Sequence, residues 1–198
     1  MIAEDLLYTF GAEKLSFSKG EQIFSEGQPA LCYFQILSGE VKMNNFNDDG
    51  KEFIQGIFFK GQSFGEPPLF ADVKYPAHAE ALSEAEVLRV SKENIMALLK
   101  AHPEEHLTIT KALASRLYYK AIMATELSSQ EPEHRILRIL DYLKKHVHDL
   151  KEPFSFQVDI TRQQIADLTG LRVETVIRAT KSLEKKGELK IKSRKLFR

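Results

Sequence analysis

Glu174 and Arg178 stand four residues apart in TGLRVETVIRATKSLEKKG (residues 169–187), a spacing that puts both on one face of a helix. A carboxylate in that position can accept from a cytosine amino group, and a guanidinium can bridge guanine O6 and N7. Outside such a context the two are an ordinary surface pair, which stabilises a helix by only roughly 0.2 to 0.5 kcal/mol. Arg172 and Thr175 suit phosphate contact, Val173 lies beside them, and Ile177 could touch a thymine methyl. Lys181, Lys185, Lys186, Lys190, Lys192, Arg194, Lys195 and Arg198 follow and would supply non-specific attraction to a polyanion.

Other reactive residue types are sparse. Cys32 is the single cysteine, which excludes an intrachain disulfide and a thiolate-ligated iron–sulfur cluster. It lies in the apolar run LCYFQIL and reads as a small buried side chain. His102 and His106 have i,i+4 zinc-ligand spacing but no third ligand nearby, and His146 and His148, two apart, do not share a helix face. An enzyme built on a metal barrel needs several histidines and carboxylates on neighbouring strands, whereas the β-patterned region has His78 alone.

The elements that must position these residues fall into two regions of opposite charge. The formal net charge is zero, yet residues 1–130 carry 12 basic and 18 acidic side chains and residues 131–198 carry 16 and 10. An acidic body with a basic tail domain suits a tail that meets nucleic acid. The N-terminus shows no secretion signal and no apolar run is long enough to span a bilayer, so a soluble, cytoplasmic protein is expected, with no membrane partner.

From Phe17 to Val90, short apolar stretches broken by Gly20, Gly27, Gly39, Gly61 and Gly65 predict an antiparallel β-barrel or sandwich, and Asp49-Gly50 predicts a two-residue type I′ hairpin. SKENIMALLK predicts a short helix. From Pro103 a glycine-free stretch predicts a helix to about Ser128, on which Leu113, Leu117, Lys120, Ala124 and Leu127 approximate a coiled-coil seam for a second copy; packing on its own barrel is the alternative. Ser128-Ser129-Gln130 before Pro132 reads as a hinge. Ile136, Leu140, Leu143 and Val147 predict an amphipathic helix over 133–147, and FSFQVDI and ELKIK read as strands. Thr161 and Gln164 form a capping box, opening a helix that should end at Gly170. With Ile165, Ala166, Leu168, Leu171, Val176 and Leu183 of buried type, the two helices around Gly170 form a helix-turn-helix, which sends the start of its second helix into the major groove. Thr161, Arg162 and Gln163, at the head of the first helix, are further candidate DNA contacts.

The order of elements, together with ITRQQIADLTGLRVETVIRATKSLEKKGEL, SEGQPALCYFQILSGEVKM and FFKGQSFGE, resembles the CRP/FNR family of bacterial transcription regulators. The resemblance implies an α+β chain: an antiparallel β-roll (jelly-roll) sensor domain of cyclic-nucleotide-binding type over 1–103, a dimerisation helix and hinge over 104–129, and a winged helix-turn-helix over 130–198. It implies a homodimer that binds a palindromic DNA site through the helix 173–185, with RNA polymerase as partner if the protein activates. VETVIR is closer to the FNR branch. Cyclic-nucleotide members bind the phosphate through Arg-Ser after a Gly-Glu motif; here Gly65 and Glu66 are followed by Tyr75-Pro76. Lys120-Ala121 stands where a Thr-Ser pair would meet the nucleobase. A pocket at Gly65, Glu66, Tyr75, Pro76 and Lys120 is therefore expected not to take cyclic AMP. No cofactor is expected, though the family leaves open a haem ligated by Cys32 or His78, an unidentified small-molecule effector, or no effector at all.

Overall fold

The computed structural model describes residues 1–128 and 131–198, without the side chains of residues 123, 125–128, 146 and 147. Of the expected hinge Ser128-Ser129-Gln130, Ser128 ends a helix and Ser129 and Gln130 lie outside that description, as do the side chains of Leu127, His146 and Val147. The chain divides into two compact units, Met1–Arg116 and Leu117–Arg198, with the boundary inside one long helix.

The first unit opens with α1 (Glu4–Thr9), β1 (Glu13–Phe17), β2 (Gln22–Phe24), β3 (Cys32–Ser38), β4 (Glu40–Phe46), β5 (Glu52–Phe59) and β6 (Ser63–Phe64). It continues through α2 (Glu66–Phe70), β7 (His78–Ala81), β8 (Ala85–Ser91), α3 (Lys92–Ala101) and the start of α4 (Pro103–Ser128). The strands form two antiparallel four-stranded sheets, in the orders β1-β8-β3-β6 and β2-β7-β4-β5. Alternation sets their faces: on β7, Ala79 and Ala81 are fully buried while His78 and Glu80 lie nearer the surface. The core holds Tyr33, Phe34, Ile36, Val87 and Phe64, and Ile95, Leu98 and Leu99 of α3 pack against it. Ser91 starts α3 by accepting the Asn94 amide at 3.2 Å.

The hairpin between β4 and β5 is longer than a two-residue turn. Gly50 alone has a positive φ, 72°, where type I′ needs two such residues. Asn47 takes over the closure: its carbonyl accepts the Gly50 amide and its Oδ1 accepts the Lys51 amide, each within 2.9 Å.

In the second unit the rest of α4 is followed by α5 (Pro132–Tyr142), a π-helical turn (Leu143–Val147), β9 (Gln157–Val158), α6 (Arg162–Thr169), α7 (Val173–Lys185), β10 (Lys190–Lys192) and β11 (Lys195–Phe197). The single helix expected over 133–147 thus changes to a π turn for its last five residues. Ile136, Ile139, Leu140, Ile165, Val176 and Leu183 are buried, and α5, α6 and α7 pack on one another. The three-stranded sheet has the order β10-β11-β9. A tip of Ser193 and Arg194, both at positive φ (49° and 65°), joins β10 to β11.

Candidate nucleic-acid interface

The first helix of the pair, α6, is fixed at both ends. The Thr161 hydroxyl accepts the Gln164 amide at 3.1 Å and the Gln164 side chain accepts the Thr161 amide at 2.7 Å, so the capping box is complete. Gly170 ends α6 at φ 69°, a left-handed cap that needs no Cβ. Thr169 turns its hydroxyl onto the Ile165 carbonyl at 2.6 Å, and the Arg135 guanidinium donates to the Thr169 carbonyl at 3.5 Å. The Leu171 amide closes the turn onto the Ala166 carbonyl at 3.0 Å, the Thr175 and Val176 amides open α7 on the Arg172 carbonyl at 3.0 Å and 3.1 Å, and α7 packs against α6 and α5.

Along α7 the side chains sort by face. Val176, Ala179, Thr180 and Leu183 are buried, and Glu174, Ile177, Arg178 and Lys181 are exposed. Val173 and Thr175 are half-buried and Arg172, the N-cap residue, is exposed. Among the described residues neither Glu174 nor Arg178 has an ion-pair or hydrogen-bond partner, so their polar heads are uncommitted. Arg178 and Thr175 line a groove of about 370 Å³ with Pro132, Glu133, Ala179 and Ser182. Thr161, Arg162 and Gln163 sit at the head of α6, but the Gln163 amide donates to the buried Asp167 at 2.8 Å.

Not every cation near this surface is available to a polyanion. Arg198 is held by Asp141 at 2.7 Å and 3.2 Å and by Glu188 at 2.8 Å, which fastens β11 to α5 and raises the guanidinium pKa, chiefly through Asp141. Lys186 donates to Glu133 at 2.6 Å. Hydrogen bonds from Lys186 and then Ser182 hold the Glu133 carboxyl below the usual carboxylate range.

In the first unit, Glu66 is 1% exposed, and its carboxylate receives Nη1 of Arg116 at 3.1 Å and 3.0 Å and the Ser63 hydroxyl. The second guanidinium nitrogen reaches the Ser63 carbonyl at 2.6 Å, and the group lies 5.0 Å over the Phe58 ring. The cation at Glu66 is thus Arg116, one helical turn before Lys120, which is exposed and belongs to the second unit. Sequence reading missed Arg116. The available signal was that a buried carboxylate demands a cation, and α4 offers Arg116 as well as Lys120.

Gly65, at φ 75°, brings its backbone against an aromatic cluster, and a Cβ there would lie 3.2 Å from Phe24 and 3.3 Å from Tyr75. Tyr75 stacks on Phe24 at 3.7 Å with the planes 10° apart, and its hydroxyl donates to the Cys32 carbonyl at 3.5 Å. Burial pushes the Tyr75 phenol up to about 12. Pro76, which has no amide proton, presents its carbonyl to the Asn45 side chain at 2.7 Å. His78 is engaged by Gln22 at 2.8 Å, and among the described residues no three His, Cys, Asp or Glu side chains gather as a metal site.

A capped helix-turn-helix with an adjoining β-hairpin, preceded in the chain by a two-sheet β domain, is the build of a DNA-binding regulator with a sensor-type module. Family models for a cyclic nucleotide-binding domain and a Crp-like helix-turn-helix domain match residues 14–102 and 134–197. The chain is 32% identical over 159 residues to the cAMP-activated global transcriptional regulator CRP of Haemophilus influenzae, covering 80% of this chain and 71% of that protein. It is 30% identical over 176 residues to the cAMP-activated regulator Vfr of Pseudomonas aeruginosa, covering 87% and 82%. The solved structure of CLP, a c-di-GMP responsive global regulator of Xanthomonas campestris, superposes with a TM-score of 0.76 at 24% identity over 96% of this chain and 95% of that one. The chain belongs to the CRP/FNR family of DNA-binding transcription regulators.

Proposed function

We propose that this regulator binds a two-fold symmetric DNA site as a homodimer, with Glu174 and Arg178 reading base edges from α7 and Ile177 packing on a thymine methyl between them. Arg172 and Thr175 hold phosphates, with Val173, Lys181, Thr161, Arg162 and Gln163 at the margins of the contact. The observation that carries the reading is the pair of uncommitted heads of Glu174 and Arg178 on the exposed face of α7. Dimerisation through α4 is supported by an exposed stripe of Leu107, Thr110, Ala114, Leu117, Ala121 and Ala124, which alternates steps of three and four residues. Leu113, in the seam expected from sequence, packs partly on the core of its own unit; Leu117, 69% exposed, and Ala124 belong to both seams. Two copies related by a two-fold axis would set half-sites roughly 34 Å apart. Selection of duplexes from a random pool by the full chain is expected to enrich an inverted repeat with that spacing; enrichment of an asymmetric motif, or of none, would overturn the reading. Contact with RNA polymerase follows only if the protein activates.

The Tyr75 stack favours one further point: that cyclic AMP is not the effector. A cyclic phosphate needs a cation and N–H donors. The Tyr75-Pro76 position offers a buried ring and a residue without an amide proton, while Glu66 is already occupied by Arg116. DNA affinity is expected to be the same with and without millimolar cyclic AMP, and a tenfold rise would sink this part of the proposal.

A further inference from the structure

The groove beside Arg178 contains an acid that a DNA-facing surface does not need for attraction. Glu133, on the first turn of α5, reaches across to α7, where Ser182 and Lys186 hold its carboxylate. Thr175, Arg178, Ser182 and Lys186 follow one another at steps of three or four residues and share one side of α7. Lys186 lies about 12 Å along the axis from Arg178, a little over the Debye length of about 10 Å at 0.1 M salt, and its long side chain shortens that gap. The Lys186 side chain is 59% exposed and that of Glu133 is 24% exposed, so the pair sits at solvent and its lysine is exchangeable.

We propose that Glu133 is a specificity-setting residue that acts through Lys186: by holding this lysine in an internal pair at the rim of the DNA-facing groove, it removes one phosphate contact from each subunit and suppresses sequence-independent binding. The inference rests on the DNA-reading surface proposed above. Non-specific binding is almost wholly a matter of neutralised phosphates, whereas specific binding also draws on base contacts. Withholding one cation therefore weakens the first proportionally more than the second and raises their ratio.

The test measures affinity of the full chain for a selected symmetric duplex and for a scrambled duplex across a salt series, for wild type, Glu133→Gln, Lys186→Gln and the double variant. Glutamine keeps the length of Glu133 and can still accept from Ser182, so the α5–α7 contact is retained. Glu133→Gln is expected to tighten scrambled-duplex binding several-fold and to steepen the salt dependence by about 0.9 per bound subunit. Lys186→Gln alone should leave the slope near that of wild type, and in the Glu133→Gln background it should cancel the gain. If Glu133→Gln leaves both slopes unchanged, or Lys186→Gln alone flattens them, the inference fails, because the lysine is then either out of reach of phosphate or already on it. A purely structural role for the pair would weaken binding in both single variants without steepening the salt dependence. Failure of the underlying reading looks different: wild type would not distinguish the two duplexes at any salt concentration.

Discussion

Arg178 and Tyr75 show how burial and partnership decide what a side chain can do. Arg178 keeps its five donors because no carboxylate within the described residues claims them. Arg178→Ala is expected to lose roughly 1 to 3 kcal/mol of discrimination between a selected and a scrambled site, with an unchanged melting temperature. Competition binding measures the first and a thermal melt the second. Tyr75 is the opposite case, a hydroxyl kept neutral inside an aromatic stack. Its phenol is raised to about 12 in the folded state, against about 10 unfolded. Its contribution to stability is therefore complete below about pH 10 and disappears as the pH rises through 12. Melts of Tyr75→Phe are expected to lose less stability between pH 9 and pH 11 than wild type; equal losses would mean that this phenol is not the titrating group. The Glu66–Arg116 pair was the least legible feature of this scale in the sequence. The partners are 50 residues apart, and only the fold decides which cation of a long helix faces a given carboxylate.

Local signals were easiest to read at the scale of the element. The capping box at Thr161 and the stop at Gly170 each act within one helical turn, so residue type and spacing suffice. Thr161→Ala is expected to cost about 0.5 to 2 kcal/mol in a denaturant titration and to lower DNA affinity without altering site preference, because the cap steadies α6 and touches no base in this reading. The β4–β5 hairpin and the end of α5 were harder. Asn47 closes the hairpin through its side chain, a choice that the Asp49-Gly50 signal does not reveal, and the π turn after Tyr142 leaves the apolar spacing of the helix almost undisturbed. The expected strand FSFQVDI shrinks to two residues, since β11 pairs directly only with Gln157 and Val158.

Across the whole molecule, the opposed charge of its two regions and the change from alternating to helical periodicity separate a β domain from a basic helical one within the sequence itself. The stripe on α4 was legible only as a choice between a second copy and its own barrel, because a helix with apolar residues on more than one face does not announce which face its own domain covers. Leu113 packs partly on the core of its own unit, whereas Leu117 is 69% exposed, which leaves Leu117 open to a second copy. Leu117→Glu is expected to shift the full chain from dimer to monomer in sedimentation, by placing like charges across the seam, and to weaken binding to a symmetric site far more than to a half-site. A variant that remains dimeric would move the interface elsewhere.

The tip of the β10–β11 hairpin adds a last consequence. Ser193 and Arg194 occupy two successive left-handed positions where Asn-Gly would be relaxed, and each such conformation costs an L-residue on the order of 1 to 2 kcal/mol. The wing therefore sacrifices some thermal endurance to keep a long cationic side chain at its extremity. An engineer who repaired this turn for heat resistance would be expected to gain a tougher hairpin and, in the same stroke, to blunt its reach.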